Sequence, residues 1–404
     1  MITSDNSQVL IIVLSGNYST GLGLVRSLGA EGYTVDLISL VKRRGSSVIA
    51  SSSKYVRRSS EVFFSPEPGI NQQNILDMLS GYREEKELTK ILIPADDAMA
   101  NLLDSRKASL SEDFLIAGQI TEGRESLEHL MNKGVQGKYA LLFGLKRPEE
   151  WTVDLRVKTD IPEGMSFPCF IKPLKSIEGN KMEMAMAQDA AELEACLDKF
   201  RQEDSDRSVL VQRYLKVDKE YDLGGVCLDD KVIIPGVIEK IRVAQYERGV
   251  TLAGKMVSRE VLGETLDKVC DLMKSFHFTG LFDLEFILSE GELYFNEINF
   301  RAGGPNYAYT LNGANLPATL IKGILGEEVT PSDLVITEGM TFVYEKVAWE
   351  EHIQGYMSKK ELDNTISGAD KRLLSNDDDP APGKIFGRRI RLSLLKHKLL
   401  GRGR

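Results

Sequence analysis

Short apolar runs alternate with amphipathic stretches at the start of the chain. Residues 8–16 read as a strand, 21–29 as a helix and 34–40 as a second strand. Such βαβ alternation implies a parallel sheet. A further strand over Ile91–Pro94 runs into Asp96 and Asp97 ahead of another helix, a position that suits a helix cap or contact with a substrate amine. A new unit begins around residues 120–135. There the strand FPCFIKPLKS, a polar loop over residues 177–181 and the alternating MEMAMA predict a hairpin. Asp189 through Glu192 reads as a capping box opening the helix AELEACLDKFRQ. From Ser208 the pattern is rich in strands: SVLVQRYL, DLGGVCL, KVIIPGVI, TGLFDLEFIL and ELYFNEINF. The helix-like ATLIKGIL follows, then TFVYEKVAW and a basic end.

With 404 residues the chain fits two or three packed domains, and 42% hydrophobic with 27% charged residues supplies a large core. A net charge of −9 argues against a protein built to coat nucleic acid. The opening MITSDNSQVLIIVLSGN has too short an apolar run and no basic flank for a signal peptide. Cys169, Cys196, Cys227 and Cys270 form no CxxC pair, so reduced core thiols are expected, as in a cytoplasmic enzyme. The loop Gly16 to Gly23 misses the GxGxxG spacing. It reads as a tight strand-to-helix turn that needs glycine, or as a phosphate site at a helix N-terminus. The terminal GKIFGRRIRLSLLKHKLLGRGR is either a basic helix packed on its own domain or one lying peripherally on an anionic membrane.

Residues 281–301 carry the most chemistry. Two apolar strands meet at Ser289-Glu290-Gly291, and acidic residues sit inside core-like sequence, where burial is costly unless charge compensates it. Glu297 and Asn299 project to one face, and Glu285 on the partner strand can join them. Such hard oxygen donors suit magnesium held jointly with nucleotide phosphates.

This E-F followed by Y-F-N-E-I-N-F-R resembles the metal-binding strands of the ATP-grasp superfamily, whose members include biotin carboxylases and carbamoyl-phosphate synthetases. The resemblance implies an α/β and α+β multidomain protein. A Rossmann-like domain would cover 1–125. The two-part ATP-grasp domain would cover 126–330, with a small lid part at 126–207 and a large part at 208–330. A C-terminal region at 331–404 would carry the basic tail. It implies ATP with Mg2+, or Mn2+ in its place, at Glu285, Glu297 and Asn299, with Arg301 facing the transferred group. Lys172 would contact the phosphates, as would Lys133, with Lys138 near enough to compete. Gln212, Tyr214 and Leu215 resemble the hinge that cradles adenine, and Glu220 the acid that binds ribose. Lys240 and Arg242 resemble the cationic segment of carboxylate-amine ligases. The loop after Lys172 is poorer in glycine than many lids of this superfamily.

The implied activity joins a carboxylate to the amine of an amino acid, a peptide or a cell-wall precursor through an acylphosphate, much as D-aspartate ligase-like proteins do. A carboxylase or carbamoyl-phosphate type of enzyme using bicarbonate, and a silent nucleotide-binding module, are the alternatives. The expected partners are small carboxylate and amine substrates and no nucleic acid, with a homodimer as the base-rate assembly.

Overall fold

The computed structural model describes residues 6–399, apart from 17, 68, 159–160, 162–163, 175–183, 204–207 and 248. The expected first sheet forms from β1 (Val9–Ser15), β2 (Thr34–Val41), β3 (Val56–Phe63), β4 (Thr89–Pro94) and β5 (Leu115–Ile116). All its pairings are parallel and the order is β3-β2-β1-β4-β5. Every residue of β1 is buried, so it needs no polar face. Val9, Ile11 and Val13 pack with the helix Tyr18–Gly29, while Leu10, Ile12 and Leu14 pack with the helices Ile70–Ser80 and Asp97–Leu110. Asp96 caps the last of these helices, accepting from Met99 N at 3.1 Å. Burial, countered by the backbone bonds from Gly16 and Met99, raises its carboxyl above the ordinary range.

Short β6 (Gln119–Ile120) leaves this sheet to pair with a distant strand. A four-stranded antiparallel sheet follows, made of β7 (Glu150–Asp154), β8 (Cys169–Pro173), β9 (Ala185–Ala187) and β10 (Ser208–Arg213) in the order β7-β10-β8-β9. The β8–β9 pairing is the expected hairpin, and its connecting loop over 177–181 lies outside the described residues. β10, expected at the start of the large part, hydrogen-bonds inside this small sheet. Asp189 accepts from Glu192 N at 2.9 Å, whereas the Glu192 carboxylate reaches back to Gln188 N, one residue short of a full capping box.

The large sheet is built on β11 (Lys219–Leu228), β12 (Lys231–Ile233), β13 (Val237–Val243), β14 (Thr251–Val257), β15 (Phe278–Ser289) and β16 (Glu292–Asn299). β17 (Thr341–Val343) and β18 (Lys371–Arg372), from the C-terminal region, extend it in the order β16-β15-β11-β13-β14-β17-β18. One apolar cluster runs from β1 through Tyr309, Leu316 and Leu320 to Phe342, Val347 and Phe386, so the N-terminal sheet, the large sheet and the C-terminal region share a core.

A buried ion pair reinforces that union. Arg26 Nε donates to Asp379 Oδ2 at 2.9 Å, and its other nitrogens reach the carbonyls of Leu373, Leu374 and Asp379. The helix Ala381–Leu399 buries Phe386 and Ile390 against the protein, and Arg389 reaches Gly45 O at 2.7 Å. This is the packed form of the basic helix over residues 381–390; residues 400–404 lie outside the described ones. Among the described residues no helix is long and apolar enough to cross a membrane.

Candidate active site

Strand register assembles the acidic cluster. β15 and β16 pair so that Glu285 faces Glu297 and Asp283 faces Asn299, while β11 sets Asp222 opposite Glu285. β13 completes this face with Lys240, whose Nζ lies 3.0 Å from Asp222 Oδ1, 3.2 Å from Glu285 Oε2 and 3.4 Å from Glu220 Oε2. Burial works against the Lys240 charge, yet the Glu285, Asp222 and Glu220 carboxylates hold its pKa well above the ordinary lysine value. Asp222 is pushed up to about 6 by burial, against the opposing pull of Lys240. Burial, then the nearby Asp222, raises Asp283 well above the usual carboxylate range.

Lys133 is positioned from outside the sheet. Asn132 caps the helix Lys133–Leu142 through Gly134 N and Val135 N, at 2.9 and 3.2 Å. One turn on, the Gln136 side chain hydrogen-bonds both backbone groups of Ile298 on β16, at 2.8 and 3.0 Å. A helix is thus locked to the sheet edge through a side-chain amide, and Lys133 Nζ lands 2.5 Å from Glu297 Oε2. Lys138, its competitor in the sequence, is exposed on the same helix.

Lys172, buried on β8, donates to Asn296 Oδ1 at 3.1 Å, and Asn296 in turn donates to Glu285 at 3.3 Å. Burial, reinforced by the like charge of Lys133, lowers the Lys172 pKa to about 7. Arg301 pairs with Asp97 at 3.2 Å and approaches Asp283 at 3.7 Å, linking the site to the N-terminal sheet. Asn299 Nδ2 reaches Asp283 Oδ2 at 3.4 Å. Gly303 is needed here because a Cβ at that position would stand 2.4 Å from Asp283 Oδ1.

The structure therefore holds these residues in three bonded groups: Lys133 with Glu297; Lys172 and Lys240 with Glu285 and Glu220; and Arg301 with Asn299 through Asp283. β13 shifts register between Lys240 and Arg242, and the Arg242 charge acts on exposed Glu361. In the hinge, Gln212 is buried and donates to Glu150 at 2.6 Å, Tyr214 is half-exposed with its N bonded to Pro168 O, and Leu215 is buried.

Sequence reasoning missed Arg147, Glu150, Asp222, Asp283 and Asn296. Arg147 pairs with Glu150 and donates to Asn296 O at 3.0 Å, tying the hinge to the acidic hairpin. Asp222 and Asp283 did carry a signal, since each stands two residues from a glutamate, Glu220 and Glu285, in an otherwise apolar strand, so that each acidic pair shares a face. Among the described residues, no group of three or more His, Cys, Asp or Glu side chains is arranged to hold a metal ion by itself.

No protein family model matches the chain. It is 25% identical over 170 residues to the carbamoyl phosphate synthase large chain of Lachnoclostridium phytofermentans, covering 41% of this chain and 16% of that relative. It is 20% identical over 310 residues to the large chain from Clostridium beijerinckii, covering 74% of this chain and 27% of that one. The matched part of the chain thus spans 16% and 27% of the length of these two relatives. Among solved structures, carboxyaminoimidazole ribonucleotide synthase from Aspergillus clavatus, complexed with ATP, superposes with a TM-score of 0.61 at 15% identity, covering 84% of this chain and 82% of that one. The L-amino acid ligase from Bacillus licheniformis gives 0.59 at 14%, with coverages of 82% and 78%. Biotin carboxylase from Campylobacter jejuni gives 0.60 at 13%, with 80% and 73%. The chain shares the fold of these solved enzymes, the fold that the ATP-grasp resemblance implies.

Proposed function

We propose that this chain is an ATP- and magnesium-dependent carboxylate-amine ligase working through an acylphosphate. One observation supports it above the others: two facing glutamates, each held by a lysine, share a sheet face with an asparagine and border a buried lysine and arginine. Structural proteins have no use for so many buried charges, since desolvation makes them costly.

On this reading Lys133 and Lys172 hold the nucleotide phosphates, the Gln212–Leu215 backbone borders adenine and Glu220 the ribose. Glu285, Glu297 and Asn299 fit a divalent ion by chemistry, being hard oxygen donors too few to cage it without phosphates and water. When bound, that ion would draw negative charge off the moving phosphoryl group. A substrate carboxylate oxygen attacks the γ-phosphorus, the bond to ADP breaks, and an acylphosphate forms. The amine nitrogen then attacks the acyl carbon, phosphate leaves with the bonding electrons, and the nitrogen gives up a proton. Lys240 and Arg301 present fixed positive charge to the transferred group throughout, an electrostatic task suited to a dry site. The regions 1–125, 126–330 and 331–404 serve as acceptor, nucleotide and closing units, with β10 counted in the lid.

ADP release tests the reading, using magnesium, ATP and a panel of D- and L-amino acids with and without amine acceptors. Bicarbonate belongs in the panel because the curated relatives are carbamoyl phosphate synthases. Acid-dependent ADP formation should fall about 100-fold or more in Glu297→Ala. Tight ATP binding with no carboxylate-dependent turnover, or turnover unchanged in Glu297→Ala, refutes it.

A further inference from the structure

Open parallel sheets bind ligands outside the carboxyl ends of their strands, where the strand order reverses. In the order β3-β2-β1-β4-β5 that reversal lies between β1 and β4. Gly16, after β1, donates its N–H to Asp96 Oδ2 at 2.5 Å, and Asp97 beside it pairs with Arg301 of the candidate site. From Gly16 a cavity of about 320 Å³ extends along the ends of β2 and β3, lined among others by Ser39, Val41, Lys42, Ser46 and Phe64. That volume falls at the small end of ligand pockets, which run from about 300 to 1,000 Å³.

The two ends differ in charge. Asp96 stands behind the inner end, bonded to Gly16 N, and Asp97 follows it in the chain. At the outer end Lys42 Nζ lies over the Phe64 ring, 5.6 Å from its centre. Lys42 is in the cavity lining, while the Arg44 charge acts on Glu61, whose carboxylate accepts from Gly45 N and Ser47 N. Leu40, Val41 and Phe64 supply apolar wall between the ends.

We propose that this cavity seats the amine substrate of the ligase reading, on which the inference rests, as a molecule charged at both ends. Its amine lies at the Gly16, Asp96 and Asp97 end, next to Arg301. A short apolar linker lies against Val41 and Phe64. An anionic group, carboxylate or phosphate, sits on Lys42. Acceptance then requires an anionic tail as well as an amine, which excludes simple alkylamines.

Phe64→Trp places a fluorescent reporter on the cavity wall. The full chain carrying it is titrated with 5-aminopentanoate and 4-aminobutyl phosphate, with pentylamine and pentanoate as controls that each lack one charge. At least one doubly charged probe should bind tenfold more tightly than either control, and the better of the two identifies the head group. Lys42→Ala in the reporter background should weaken that probe at least tenfold, Lys42→Arg should restore it, and ATP affinity should stay unchanged in both. Equal binding of pentylamine, indifference to Lys42→Ala, or no fluorescence response to either doubly charged probe overturns the proposal. Probe binding without any carboxylate-dependent ADP release would sink the ligase reading and leave the pocket standing. ADP release stimulated by an amine that leaves the reporter silent would do the reverse.

Discussion

Asp379→Ala should detach the C-terminal region from the first helix. Arg26 and Asp379 are almost wholly buried, at 0% and 1% side-chain exposure, and Asp379 also accepts from Lys54 N at 2.9 Å. Removing the carboxylate strips the guanidinium of its counter-charge and orphans the Lys54 N–H. Three backbone carbonyls would still surround Arg26. Breaking one side of a buried ion pair costs about 3–5 kcal/mol, and those carbonyls place the loss near the lower end, about 3 kcal/mol. With a urea dependence of about 1–3 kcal/mol per molar, the midpoint should fall by roughly 1 M or more. Trp349, on the helix Glu345–Ile353, reports the C-terminal region, and Trp151 on β7 reports the small sheet, so each is followed by fluorescence in single-tryptophan backgrounds. The Trp349 transition should move and the Trp151 transition should move less. The double variant Arg26→Met with Asp379→Ala should recover much of the loss, because no charge then stays buried alone. An unchanged Trp349 midpoint, or a double variant as unstable as the single, refutes the reasoning.

Lys172 is a lysine whose folded pKa, about 7, lies below its ordinary 10.5. Between those values the unfolded chain binds the proton that the folded one does not, so this residue makes stability rise with pH across that window. Lys172→Met should flatten that rise in denaturation curves collected at several pH values while abolishing ATP binding; an identical slope in both proteins contradicts the assigned burial. The Tyr309 hydroxyl, fully buried, accepts from Gly224 N at 2.9 Å and donates toward Gly236 O at 3.1 Å. Tyr309→Phe should cost about 1–3 kcal/mol in chemical denaturation, and a neutral result would mean that these backbone groups find other partners. Gln136→Leu should unlock the helix that carries Lys133, raising the Kd for ATP in calorimetry with the Glu285 side left intact; an unchanged Kd would show that the cap at Asn132 suffices.

The parallel sheet was legible because β1, covered by helices on both faces, must be apolar throughout. The acidic hairpin was legible for the opposite reason. Glutamates at alternate positions of otherwise core-like strands conflict with burial, and such a conflict marks a site. Asp222 and Asp283 obey the same logic, each two residues from a glutamate on its own strand, but the groups gathered round them show only when the strands are placed side by side. Their pairing with Lys240 depends on a register that local periodicity does not set. The assignment of β10 to the small sheet was hidden as well, since an apolar strand does not reveal which neighbours will pair with it. The loop Gly16 to Gly23 proved partly a packing device: a Cβ on Gly21 would meet Ser15 Oγ at 2.7 Å.

The lysines of the site already have partners. Lys133 rests on Glu297, and Lys240 is shared among three carboxylates. A divalent cation arriving alone would meet oxygens already held by ammonium groups, and free nucleotide would meet ammonium groups already engaged. Arriving together, each releases what the other needs, since phosphates draw the lysines away and the freed glutamates turn to the metal. The two ligands should therefore bind with positive cooperativity, each tightening the other by the same factor.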